Sequence, residues 1–208
     1  MKWNVEDIAF LYPPDVFAGS FDNAKMQARH EQQVQIKLDE IKIALAQESD
    51  PLKAMKKLHA KDHLRFFLNN LESFRDTGTL EEAVLELYGK LNNPFSSGGD
   101  AAVWQDLFAA CDTTRLYSLG DPVTFASATV YSGSVSGFNR SLSWTPDRQK
   151  AVWFAERWKD PSRGGGELYE VDISKTNVLV YLKHRHGEEL ILAPEFIKSA
   201  NIRIFLEQ

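Results

Sequence analysis

The sequence predicts an α+β protein, with a helical region over residues 1–120 followed by a split, mixed or antiparallel β-sheet region over residues 121–208, packed as one unit. Three observations predict it. Apolar residues recur with helical spacing from Phe21 to about Asp112. After Asp121 the period changes to strict alternation. Among the strands that follow, only one helix is evident, over 147–158, which leaves no room for regular βαβ crossovers.

The elements follow in chain order. Val34, Leu38, Ile41 and Leu45 recur at spacings of four, three and four, and Ile36 and Ile43 are expected to widen that apolar face. Pro51 restarts the chain, and Leu52, Met55, Leu58, Leu64, Phe67, Leu68 and Leu71 continue the helical spacing. Thr79 with Glu82 reads as a capping box ahead of "AVLELYGKL", where Val84, Leu87, Tyr88 and Leu91 share a face. The loop "NNPFSSGGD" ends in Asp100, a candidate cap for a helix carrying Val103, Trp104, Leu107 and Phe108. Farther on, "SRGGGE" at 162–167 reads as a flexible connection before a strand. In that strand Tyr169, Val171 and Ile173 point one way while Glu170 and Asp172 point the other, the pattern of a half-buried strand. "VLVYL" at 178–182 suits a strand buried on both faces, and "ELIL" at 189–192 and "IRIFL" at 202–206 supply two more.

Composition narrows the function classes. With 43% hydrophobic and 25% charged residues, the 208-residue chain matches ordinary globular averages, and its length supports a substantial core. The formal charge of −5 argues against a general phosphate-backbone binder, so nucleic acid is not the expected partner, although a local basic patch is compatible with it. Cys111 is the single cysteine, which excludes an intramolecular disulfide and a four-thiolate zinc site. The first residues, "MKWNVEDIAFLYPPDVF", lack the uninterrupted apolar stretch of a secretory signal, and no window reaches the ~18 apolar residues of a membrane span. A soluble, cytoplasmic protein without membrane association is expected.

The richest stretch is "TVYSGSVSGFNRSLSWTPDRQKAVWFAERW", residues 129–158. If 141–145 is extended, Ser141, Ser143 and Thr145 line one face and Leu142 and Trp144 the other. Thr145 followed by Pro146 reads as a helix N-cap and first position. Ala151, Phe154, Ala155 and Trp158 then form a core-packing stripe. Trp153 lies off the stripe, where an exposed ring can stack on a ligand. Serines and threonines are also common at edge strands and caps, so spacing alone leaves the hydroxyls a structural role. Glu188 and Glu189 open a short apolar strand and must point to opposite faces. His184 and His186 have metal-like spacing but no third ligand in evidence. "GSVSG" lacks the Lys and Ser/Thr of a phosphate-binding loop and places Val135 where a hydrolase elbow needs its serine.

Taken in order, "TVYSG", "SLSWTPDRQKAVWFA" and "EELIL" resemble the ADP-ribosyltransferase superfamily, in its arginine-type branch. Phage and bacterial members carry Tyr-Arg-Gly, then Leu-Ser-Trp-Thr with Asp-Arg and a Trp-Phe-Ala helix, then a Glu directly before an apolar strand. The similarity runs from about residue 128 to the C-terminus, and 100–117 resembles the helix preceding it in such proteins. The resemblance implies a split NAD-binding fold and NAD as substrate. It implies Glu189 as the catalytic carboxylate, oriented with the ribose by Ser143 and Thr145, and Tyr131 or Trp153 stacked on nicotinamide. Ser132, Gly133 and Ser141 would complete the NAD-binding set.

Two positions depart from the pattern. Ser132 stands where the family has Arg, and Gly187 stands two residues before Glu189, where many members carry Glu or Gln. Loss of one charge-assisted contact costs about 1.5–3 kcal/mol, and Arg140 or Arg148 is a candidate to supply the missing charge. The implied function is mono-ADP-ribosylation of a host or partner protein, of phage or toxin-effector type. A weakened relative acting as a binding or inhibitory module, or an NAD glycohydrolase, are the alternatives.

Overall fold

The computed structural model describes residues 2–17, 19–90, 101–183 and 188–205. The chain divides into two compact units, 1–92 and 93–208. The α+β class holds, with helices in the first unit and small antiparallel sheets in the second. No helix among the described residues is long and apolar enough to cross a membrane.

The first unit contains α1 (Ala24–Gln47), α2 (Pro51–Lys56), α3 (His63–Asn69), α4 (Leu71–Asp76) and α5 (Leu80–Gly89). Asn23 caps α1 by accepting from the Lys25 amide, and Asp50 caps α2 by accepting from Leu52 and Lys53. Along α1, Val34, Leu38 and Ile41 are half-buried and Leu45 is fully buried. Ile36 and Ile43 do not widen that face but are 51% and 57% exposed. Ile36 is two residues from both Val34 and Leu38, roughly 200° around the helix from each, so the same period that buries the stripe turns these isoleucines outward. Leu68 is likewise exposed, and Phe66 joins Phe67 in the core instead. Phe67 and Phe74 meet edge to face at 4.9 Å, and Trp3 packs on Phe66 at 5.7 Å. α5 begins just after Thr79, but the Thr79 hydroxyl bonds to Thr77 Oγ1 at 2.9 Å instead of closing a capping box. Leu91 lies outside the described residues, as does the loop ending in Asp100.

Two buried polar residues tie the N-terminal segment to these helices. Asp62 accepts from the Phe10 amide at 2.9 Å, the Ala9 amide at 3.3 Å and the Tyr12 hydroxyl at 2.6 Å. The bond to Asp62, with burial, pushes the Tyr12 phenol up to about 12. Asn70 accepts from the Asn4 amide and donates to the Asn4 and Phe66 carbonyls, each at 2.8 Å.

The second unit opens with α6 (Ala101–Ala110) and α7 (Thr113–Ser118), which fall here because α6 packs on α9 (Pro194–Ser199) and α7 on β4 (Val178–Leu182). Its other elements are β1 (Ser127–Val135), β2 (Ser143–Trp144), α8 (Arg148–Glu156), β3 (Gly166–Ser174), β5 (Glu189–Leu192) and β6 (Arg203–Ile204). They form two three-stranded sheets, ordered β1-β3-β6 and β2-β5-β4. Every described pairing is antiparallel, with no parallel component. The sheets meet at one bridge, where Tyr131 and Thr145 exchange amide–carbonyl bonds of 2.8 Å. The run at 178–182 is the β4 strand, and its first four residues are buried, as the absence of alternation requires. β6 is shorter than the apolar run from 202 suggests, and Leu206 lies outside the described residues.

Candidate active site

The site is built on the β2–β5 ladder. Ser143 stands opposite Ile191 in the antiparallel register, and Glu189 lies two residues back along β5, on the face of Ile191. That diagonal brings Ser143 Oγ to 2.5 Å from Glu189 Oε1, the serine donating to the carboxylate. Both residues are half-buried, so the pair is shielded yet reachable. Glu188 faces the other way, is exposed, and places its charge near the Tyr181 phenol. Burial first, and then the Glu188 charge, raise that phenol above the ordinary tyrosine value.

The three hydroxyls do not form one polar face. Ser141 folds back locally, accepting from the Ser143 amide at 3.1 Å and donating to its carbonyl at 3.3 Å. Thr145 is buried and accepts from the Asp147 amide at 3.1 Å. The helix cap is Asp147, not Thr145: its carboxylate accepts from Gln149 and Lys150 at 2.9 and 3.2 Å, and Pro146 precedes the helix. Aspartate wins because it reaches two orphan amides and adds a negative charge at the positive end of the helix dipole.

In β1, Tyr131 and Gly133 share one face and Ser132 takes the other. Ser132 is buried opposite Tyr169. Gly133 is a packing glycine: a Cβ there would meet the Ala151 carbonyl at 1.9 Å, and one at Gly166, opposite Val135, would meet the Ala155 carbonyl at 1.9 Å. The backbone of α8 thus rests on a two-glycine platform. Of the expected α8 core stripe, Ala151 and Ala155 are buried while Phe154 and Trp158 are half-buried. Trp153 is 56% exposed, as expected of a residue off the stripe, and packs against Phe154 and Arg157. Arg140 is committed elsewhere: its guanidinium donates to the Ile197 carbonyl and, at 3.1 Å, to that of Ala200, capping the end of α9. The Arg148 guanidinium lies 4.2 Å from the Phe205 ring centroid.

Lys150 is the site residue that sequence reasoning passed over. Partial burial lowers its ammonium below the ordinary lysine value, against the opposing pull of Glu189, Asp147 and Glu188. Its place in the first turn after an Asp cap, on the helix that follows the hydroxyl strand, is the signal that marks it. A second carboxylate, Glu167, accepts from the Tyr169 phenol and, at 3.0 Å, from the Gly137 amide, which holds the turn beyond β1. No family model, curated protein or solved structure matches the chain. Among the described residues no cluster of His, Cys, Asp or Glu could hold a metal ion, and His184, His186 and Gly187 lie outside them.

Proposed function

We propose that the chain is an NAD-dependent mono-ADP-ribosyltransferase acting on a protein. The observation that carries this reading is the Ser143–Glu189 hydrogen bond of 2.5 Å on facing strands. Cleavage of the nicotinamide–ribose bond leaves positive charge on the ribose, and a fixed carboxylate beside it favours the transition state over the ground state. Glu189 supplies that carboxylate. Ser143 fixes its orientation and reduces the reorganisation needed as charge develops. The ribose end of NAD therefore has fitting partners.

The phosphate end is less well provided. Ser132 is uncharged and Arg140 is bound to carbonyls, while Lys150 lies in the field of the carboxylate. That same observation favours a second reading, a binding or inhibitory relative with little turnover.

Incubation with labelled NAD and a bacterial lysate separates them. Under the first reading the chain releases nicotinamide and labels protein, and Glu189→Gln lowers release by about 10²–10³-fold. Nicotinamide release without labelling gives the glycohydrolase. Absence of both, with a thermal shift on adding NAD, gives the silent binder. Absence of all three ends the NAD reading.

A further inference from the structure

The exposed side of α8 carries a pattern of which the Glu189 site uses only Lys150. Lys150, Trp153, Phe154 and Arg157 stand at i, i+3, i+4 and i+7, which places all four on one face of the helix. Trp153 and Arg157 are exposed, and Lys150 and Phe154 are half-buried. The two rings meet nearly perpendicular, at 77° and 4.9 Å. The Arg157 guanidinium lies 5.3 Å from the Trp153 ring and 6.0 Å from Phe154, and the Lys150 ammonium lies 5.9 Å from Phe154. The face reads cation, ring, ring, cation.

Charge sets this segment apart. Between Asp147 and Asp160, residues 148–159 hold four basic side chains and one acidic one, within a chain of formal charge −5. A patch of this sign is complementary to a polyanion. Its two rings are complementary to flat, stackable groups. An acidic protein segment would use the cations alone. A single-stranded nucleic acid uses both, with its phosphates on Lys150 and Arg157 and a base on Trp153.

We propose that this face of α8 binds single-stranded nucleic acid. The proposal goes beyond the transferase reading and does not depend on NAD turnover.

The test uses the full chain and a labelled oligothymidylate or oligouridylate of about a dozen nucleotides. Polarisation should rise and tryptophan emission should fall on titration. Trp153 is the exposed reporter, since Trp3, Trp104 and Trp144 are buried and Trp158 is half-buried. With two phosphate contacts, raising salt from about 50 to about 200 mM should weaken binding about sevenfold. Trp153→Ala should weaken it about ten- to hundredfold, while Trp153→Phe keeps it within about threefold. Arg157→Glu should weaken it and flatten the salt dependence. Both positions are exposed, so unchanged melting curves verify the fold of each variant. Flat polarisation at low salt overturns the proposal, and so does binding indifferent to Trp153→Ala. Equal displacement of the oligonucleotide by polyglutamate also overturns it, and assigns the face to an acidic protein segment.

Discussion

Two sets of polar groups, one from each unit, are placed differently. In the helical unit, Asp62 and Asn70 are buried and spend most of their hydrogen bonds on backbone amides and carbonyls of the N-terminal segment. In the sheet unit, Ser143 and Glu189 are half-buried and bond side chain to side chain. A polar group that satisfies backbone in the interior holds the chain in place, and its loss is read in stability. A polar pair at a partly open rim is cheap to disturb structurally and can meet a ligand.

The largest expected effect tests the first half of that contrast. Asp62→Ala removes the acceptor of two amides and a phenol, in a residue only 2% exposed. It should cost about 3–5 kcal/mol in urea unfolding of the full chain, because buried donors lose their partner together. A cost below about 1 kcal/mol would mean that the segment is held by Trp3 and Asn70 instead.

Gly133→Ala comes next, at about 2–3 kcal/mol, since its new Cβ must displace helix backbone. Gly137→Ala is its control. Gly137 has φ +78° with nothing near its Cβ position, so only backbone strain of about 1 kcal/mol applies. Equal costs at the two positions would remove the two-glycine platform from the account of how α8 is seated.

Ser143→Ala probes the rim. It should leave thermal stability within about 1 kcal/mol and, under the proposed transferase function, slow nicotinamide release about ten- to two-hundredfold, the worth of one hydrogen bond to a carboxylate that remains in place. Ser141→Ala should leave release unchanged, because that hydroxyl bonds only its own turn. Equal losses in the two variants would restore the continuous hydroxyl face that the spacing suggests.

Much of the sheet unit was legible because strand signals are local. The run at 178–182 has no polar residue and becomes a doubly buried strand, and Glu189 directly precedes the apolar triplet that fixes its place in β5. Period two also separates Glu188 from Glu189 correctly, one toward Tyr181 and one toward Ser143. What escaped depends on closure between segments distant in sequence. Arg140 reads as a free cation until the α9 carbonyls, nearly sixty residues away, are placed against it. Gly133 reads as a turn or ligand glycine until α8 rests on it. Thr145 loses the cap to Asp147 because both fit the composition rule, and the start of the helix decides between them.

The smallest effect sharpens the contrast from the interior side. His63 is 6% exposed; its Nε2–H donates to the Leu58 carbonyl at 3.0 Å, and its buried Nδ1 has no hydrogen-bond partner. A second proton would sit on Nδ1 facing no acceptor. Burial, with Lys90 and His59, lowers its pKa below the ordinary 6.5, and the Leu58 carbonyl and Glu86 only partly offset this. The unfolded chain therefore binds the proton first as pH falls. Stability from this group is full above 6.5 and declines as pH drops from 6.5 toward the folded value, with a slope of at most about 1.4 kcal/mol per pH unit. Urea midpoints at a series of pH values for the parent chain and for His63→Gln, which keeps a donor for Leu58 but cannot titrate, isolate the term. The parent should lose stability faster than the variant on acidification. Parallel curves would show that the interior of the helical unit accommodates the charged ring, and that burial there is not the barrier to protonation that the unpartnered Nδ1 implies.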